Sequence, residues 1–131
     1  MRRSRNNGNR KIEKAVVDIL QSRSRSRIYL YLLRRNGAKT EQIIKGTKLH
    51  PSTVRETLSD MFNDKQIIRK KIKNDCIGKN PYMYYAMPPI KLLKRHTDEI
   101  EDRLNKFASL AFDDKNYRYV RIKIQENVVK T

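Results

Sequence analysis

The sequence predicts a mainly α-helical fold: several short helices, a two-stranded β-hairpin, a long C-terminal helix and an extra strand near the end. Three observations predict it. Apolar residues recur at helical spacing from Lys11 to about Phe62, interrupted by Ser, Thr, Gly and Pro at regular stops. "QIIRKKIK" (66–73) and "PYMYYAM" (81–87), rich in β-branched and aromatic residues, flank the turn formers "NDCIGKN". After the prolines at 88–89, apolar residues advance in steps of three and four as far as Ala111.

Taken in order, residues 1–10 carry Arg2, Arg3, Arg5 and Arg10 with no apolar residue after Met1, and read as a flexible basic arm. Residues 11–87 read as one domain. Its first helix carries Ile12, Ala15, Val16, Ile19 and Leu20 on one stripe. "SRSRSR" (22–27) then offers serines as N-caps, so a second helix starts near Ser24 or Ser26. That helix carries Ile28, Leu32 and Leu33 and ends at "RRNG", where Gly37 can take a left-handed conformation. Thr40 caps a third helix of about two turns that closes at Gly46. After the turn "GTKLH", Pro51 suits the first position of a fourth helix, because it has no N–H to leave unpaired. This helix runs to about Asn63. Ile43, Leu49, Val54 and Leu58 then supply the small core that two helices share when they cross steeply over a short turn.

Residues 88–112 form the long helix, with Ile90, Leu93, Thr97, Ile100, Leu104, Phe107 and Ala111 on a coiled-coil seam. At ~1.5 Å per residue it is roughly 30 Å long, too long for so small a domain to cover. The seam either packs back on its own domain or pairs with a second copy. Its regularity favours pairing, since an uncovered apolar stripe of that size is a liability. In residues 113–131, Val120, Ile122 and Ile124 alternate with Tyr119, Arg121 and Lys123, which suggests a strand. Nothing in the sequence identifies its partner.

Composition narrows the function. The net charge is +17, from 31 Lys and Arg against 14 Asp and Glu, with a pI near 10.3. Such an excess favours a polyanionic partner, because each cation placed on a phosphate releases condensed counterions. No run approaches the ~18–20 continuous apolar residues of a membrane span, and no apolar stretch follows the basic N-terminus as in a secretory signal. No membrane association is expected. Cys76 is the only cysteine, which excludes an intrachain disulfide and fits a reducing, cytoplasmic setting. His50 and His96 lie far apart, no Cys/His cluster has metal-ligand spacing, and no glycine-rich phosphate loop is present. Neither a metal, a cofactor nor catalysis is expected; the chain does not read as an enzyme.

Helix–turn–helix followed by a hairpin is a winged helix-turn-helix arrangement. At ~100° per residue, Val54, Leu58 and Met61 face inward along the fourth helix, leaving Ser52, Glu56 and Ser59 outward, flanked by Thr53 and Arg55. Short hydroxyl side chains let such a helix sit deep in a major groove. Arg55 has the reach for a guanine edge and Glu56 can accept from a cytosine amine. Glu56 and Asp60 repel phosphates, so they fit only where they face bases or stand clear of the backbone. Lys48, Arg69, Lys70, Lys71, Lys73 and Lys79 are the expected phosphate contacts, and the arm arginines suit an adjacent minor groove. His50 stands at the N-cap of the fourth helix and is expected to serve as a structural cap or to make a phosphate hydrogen bond, rather than to act as a pH switch. Tyr82, Tyr84 and Tyr85 either cover the hairpin or stack on bases of single-stranded RNA. If Ile90, Leu93, Thr97, Ile100, Leu104 and Phe107 pair two chains, the homodimer presents two recognition helices to a near-palindromic site.

Across residues 26–107 the chain resembles archaeal winged-helix transcription regulators, in particular the DNA-binding half of the TrmB-like family. The likeness lies in "IYLYLLRRNG", in "TEQIIKGTKLHPSTVRETLSDMF", and in "GKNPYMYYAMPP", where Pro81, Tyr84 and Pro89 match the family's proline, tyrosine and closing proline. The chain departs from the family at Arg55, where a tyrosine is usual, and at Lys65, where a glycine is usual. The resemblance implies a homodimeric regulator of transcription on double-stranded DNA, its signal coming from an effector protein, the transcription machinery or its own abundance. The sugar-binding domain of larger family members has no counterpart before Thr131, so sugar sensing is not carried over. Two other readings stay open: a sequence-tolerant architectural DNA-binding protein, and an RNA-binding or protein-docking winged-helix module.

Overall fold

A computed structural model describes residues 2–72, 82–111, 120–127 and 129, with side chains from residue 8 onward. The chain divides into two units, Met1–Pro88 and Pro89–Thr131. The first contains α1 (Arg2–Leu20), α2 (Arg23–Arg35), β1 (Ala38–Lys39), α3 (Thr40–Thr47), α4 (Pro51–Asn63), β2 (Ile67–Lys71) and β3 (Tyr82–Ala86). The second contains α5 (Pro89–Ala108) and a 3₁₀ turn, Ser109–Ala111.

Residues 2–10, expected to be an irregular arm, lie within α1. No proline interrupts residues 2–20, and Gly8 costs a helix only about 1 kcal/mol relative to alanine. The α1 stripe is only partly covered: Leu20 is buried, while Ile12 and Ile19 remain exposed. α2 starts one serine earlier than expected. Ser22 is its N-cap, accepting a hydrogen bond from the Arg25 N–H at 3.2 Å, whereas Ser26 is buried inside the helix. The core of this unit is Ile28, Tyr29, Leu32, Ala38, Ile43, Val54, Leu58, Met61 and Ile67. Tyr29 takes the inward place expected of Leu33, which is exposed.

The burial of Tyr29 is tied to a polar handle. Its hydroxyl donates to the Met87 carbonyl at 2.6 Å, and burial pushes the phenol above its ordinary value of 10.0. The folded state therefore holds the proton more tightly than the unfolded chain. The resulting stability is complete below pH 10.0 and is lost as the pH rises further. Tyr29→Phe is expected to cost about 1 kcal/mol at neutral pH, by leaving the carbonyl unpaired. It should also flatten the alkaline decline, as urea unfolding at about pH 8 and about pH 11 would show.

The helix–turn–helix is built from local signals. The Gln42 side chain reaches back to accept from the Lys39 N–H at 2.9 Å, so Lys39 is the cap and Thr40 the first helical residue. Lys48 ends α3 in the left-handed region, φ 59°. Gly46 lies inside α3 and not at its end. Its absent side chain makes room for Tyr31, whose ring would stand 2.1 Å from a Cβ placed there. His50 is the N-cap of α4 and Pro51 its first residue, as expected. Arg25 joins α2 to the far end of α4, pairing with Asp64 at 2.7 Å and donating to Gln66 at 3.1 Å.

β2 and β3 pair antiparallel, from Ile67 opposite Ala86 to Lys71 opposite Tyr82. The expected pair of strands gains a third, because β1 occupies the other edge of β3, with Ala38 opposite Tyr84. Gly37 makes this possible: it sits at φ 109°, and a Cβ there would stand 2.5 Å from the Tyr85 ring. Residues 73–81, including Lys73, Cys76, Lys79 and Pro81, lie outside the described residues.

In the second unit, α5 leaves Ile90, Leu93, Leu104 and Phe107 exposed, at 59, 43, 43 and 76 %. Thr97 spends its hydroxyl on its own helix, donating to the Lys94 carbonyl at 2.9 Å. Residues 120–127 form no strand, contrary to the alternation of Val120, Ile122 and Ile124. Their neighbour in this unit is a helix, whose backbone groups are already paired, so side chains substitute. Asn105 takes both backbone groups of Ile122, its oxygen accepting at 2.6 Å and its nitrogen donating at 3.0 Å. Glu101 accepts from the Ile124 N–H at 2.9 Å.

Candidate nucleic-acid interface

The two sides of α4 are sharply different. Val54, Leu58 and Met61 are buried, joined by Thr57, while Ser52, Arg55, Glu56, Ser59 and Asp60 are exposed and Thr53 is intermediate. Residues at 52, 56 and 59 fall on one face because a helix turns ~100° per residue. Nothing larger than a glutamate stands on that face, and Arg55 at its border forms no ion pair or hydrogen bond among the described residues.

The N-terminal end of α4 is held by His50. Its Nδ1 lies 3.3 Å from the Ser52 N–H and 2.7 Å from Ser52 Oγ. Accepting from the backbone requires Nδ1 to be the bare nitrogen, which leaves Nε2–H pointing elsewhere. Ser52 can then donate to the ring while its oxygen lone pairs stay available. Lys48 is exposed in the turn immediately before this cap.

β2 contributes Arg69, Lys70 and Lys71, all exposed. The strand period splits them between faces. Arg69 and Lys71 share a face with Tyr84 and Tyr82, their Cα partners, while Lys70 stands opposite Met83 on the other. Two of the three cations rest on rings. The Arg69 guanidinium lies 3.9 Å from the Phe62 ring centre and 4.5 Å from that of Tyr82, and Lys70 lies 5.4 Å from Tyr85. Tyr82 and Tyr84 meet at 6.3 Å, tilted by 57°. Sequence reasoning gives Phe62 no part in the site, since at one residue beyond Met61 it belongs to neither the buried nor the small polar set. The period-two register of "IIRKK" against "YMYYA" carries the signal for the Arg69–Tyr82 contact; nothing in the sequence signals Phe62.

Among the described residues no group of His, Cys, Asp and Glu is placed to hold a metal ion, and no helix is long and apolar enough to cross a membrane.

Helix, strand, two helices and an antiparallel strand pair, with an exposed face on the second helix of the turn, define a winged helix-turn-helix module. No family model matches the chain, and no curated protein sequence does. One of the solved structures that match shares the fold. A possible transcriptional regulator from Methanosarcina mazei Go1 matches 74 % of this chain and 85 % of its own, at 18 % identity and a TM-score of 0.60. NadR in complex with 4-hydroxyphenylacetate matches 81 % and 79 %, at 15 % identity and a TM-score of 0.49. Lactococcus lactis ZitR, a zinc-responsive MarR family member, matches 86 % and 88 %, at 15 % identity and a TM-score of 0.45. The first of these likenesses speaks for the fold alone, and the other two add nothing to it.

Proposed function

We propose that the protein is a sequence-specific, double-stranded-DNA-binding regulator of transcription that acts as a homodimer. One observation carries the reading: α4 buries Val54, Leu58 and Met61 and turns outward a face of small polar residues bordered by Arg55, which has no ion pair or hydrogen bond among the described residues. A helix with that profile can enter a major groove without steric conflict and leave Arg55 to read a base edge. Lys48 before the helix and Arg69, Lys70 and Lys71 on β2 supply cations for the phosphates on either side. Lys73 and Lys79 extend the same basic segment. Across α5, Ile90, Leu93, Thr97, Ile100, Leu104 and Phe107 form the pairing seam, and a two-fold dimer would read half-sites about 34 Å apart or a multiple of it.

The kinship proposed is with archaeal TrmB-like regulators, on the three stretches that resemble them. Lys65 supports the match: it adopts φ 58° at the position where that family has glycine, the residue that tolerates such a conformation.

The net charge of +17 favours a second reading, a sequence-tolerant architectural DNA-binding protein. Selection of bound sequences from a random duplex pool, followed by footprinting, separates the two. A regulator should prefer its site by ~10³-fold or more over random duplex; a featureless footprint would leave the architectural reading. Competition by structured RNA at fixed salt tests the RNA-binding module. Within the regulator, Arg55→Ala should cost about 1–3 kcal/mol on the selected site and little on random duplex. Lys71→Ala should weaken all duplexes alike and lower the salt slope by about one. Equal losses on both DNAs for Arg55→Ala would refute its base-reading role.

A further inference from the structure

Arg69 and Lys70 are neighbours on β2, both exposed and both cationic, yet the fold treats them differently. Lys70 has a single distant ring, whereas Arg69 touches two rings supplied by two different elements. Phe62 belongs to the last turn of α4, and Tyr82 is the first residue of β3. The guanidinium is a planar group whose faces stack on rings and whose five N–H donors point along its edges. Ring contacts made through its faces would leave the edges for an acceptor. No carboxylate or carbonyl among the described residues takes them.

We propose that Phe62 and Tyr82 clamp Arg69 so that its guanidinium edge meets one backbone phosphate at the border of the groove that α4 enters. Arg69 is then a fixed register point between recognition helix and strand pair. The inference rests on the duplex-binding reading and gives it a mechanism. A phosphate contact made by a free lysine confines its long side chain only on binding; a clamped arginine has lost that freedom already, so less is lost when the phosphate arrives. The bidentate geometry of guanidinium on phosphate adds an orientation that an ammonium cannot impose. The clamp also ties the strand pair to the end of α4, so the helix and the basic strand approach the duplex as one body.

The test compares duplex binding, over a range of salt, for wild type, Phe62→Leu, Tyr82→Leu, Arg69→Lys and Arg69→Gln. Leucine keeps apolar bulk and removes the ring. Phe62→Leu and Tyr82→Leu should each weaken binding about fivefold, because an Arg69 side chain released from one ring must again be ordered on the phosphate, with the salt slope unchanged because the charge remains. Arg69→Lys should behave like the ring variants, and Arg69→Gln should lower the slope by about one. In the free protein, the Arg69 Nε–H resonance should be shifted upfield by the rings and move back in Phe62→Leu. Should Phe62→Leu fail to fold by circular dichroism, Tyr82→Leu probes the same clamp from its other ring. Ring variants that bind like wild type, or an Arg69→Lys variant that retains full affinity, would overturn the clamp while leaving duplex binding intact. Wild type that binds no duplex at all would remove the functional reading and this inference together.

Discussion

If the proposed homodimer forms through α5, Leu104→Asp combined with Phe107→Asp is expected to convert it into monomers and to weaken binding to a two-half-site duplex by on the order of 100-fold or more. Both side chains are exposed, at 43 and 76 %, so their replacement removes little packing within the chain. What it removes is part of the exposed apolar stripe of α5, and it sets two carboxylates on each side of any symmetric pairing, where like charges repel. The size of the affinity loss follows from linkage: the second half-site of a dimer binds at an effective concentration set by the first, an advantage that a monomer lacks. Thr97 does not compromise such a seam, because its hydroxyl is satisfied within α5. Light scattering reads the mass directly. A variant that keeps the mass of a dimer would place the interface elsewhere, and a monomeric wild type would remove the homodimer.

Aspartate placed on opposite sides of α4 should separate fold from function. Val54→Asp buries a carboxylate at a fully buried position with no partner, which costs on the order of 4 kcal/mol. That is a large share of the stability of a unit this small, so a strongly lowered or lost cooperative thermal transition is the expected result. Ser59→Asp, on the exposed face, should leave the melting behaviour within about 0.5 kcal/mol of wild type. The added charge would nevertheless face the duplex, and affinity should fall by about tenfold or more from repulsion and steric fit together. Unchanged binding by Ser59→Asp would show that this face of α4 does not meet DNA.

Most of the first unit can be anticipated from local chemistry. Pro51 at the first position of α4, His50 at its cap, and Val54, Leu58 and Met61 on its buried side all follow from residue type and ~100° periodicity. The start of α2 departs from expectation by one turn or less because the serines of 22–27 are chemically equivalent caps. In the structure Ser22 is the one that is used, and Ser26 is buried within the helix. The two-residue strand β1 has no sequence signature, because Ala38–Lys39 is too short to show a period; it exists because β3 offers an unpaired edge. The strand expected near 120–124 illustrates the converse. Alternation is permissive, and without a strand beside it the segment takes its hydrogen bonds from Asn105 and Glu101.

The same division runs through the candidate site. Which residues of α4 point away from the core is legible one residue at a time, since a helix converts sequence distance into angle without help from the rest of the chain. So is the abundance of positive charge near β2. Chain folding alone brings Arg69 from β2 onto Phe62 of α4 and Tyr82 of β3. Contacts between elements depend on the angle at which each is packed, and no period in the sequence records that angle.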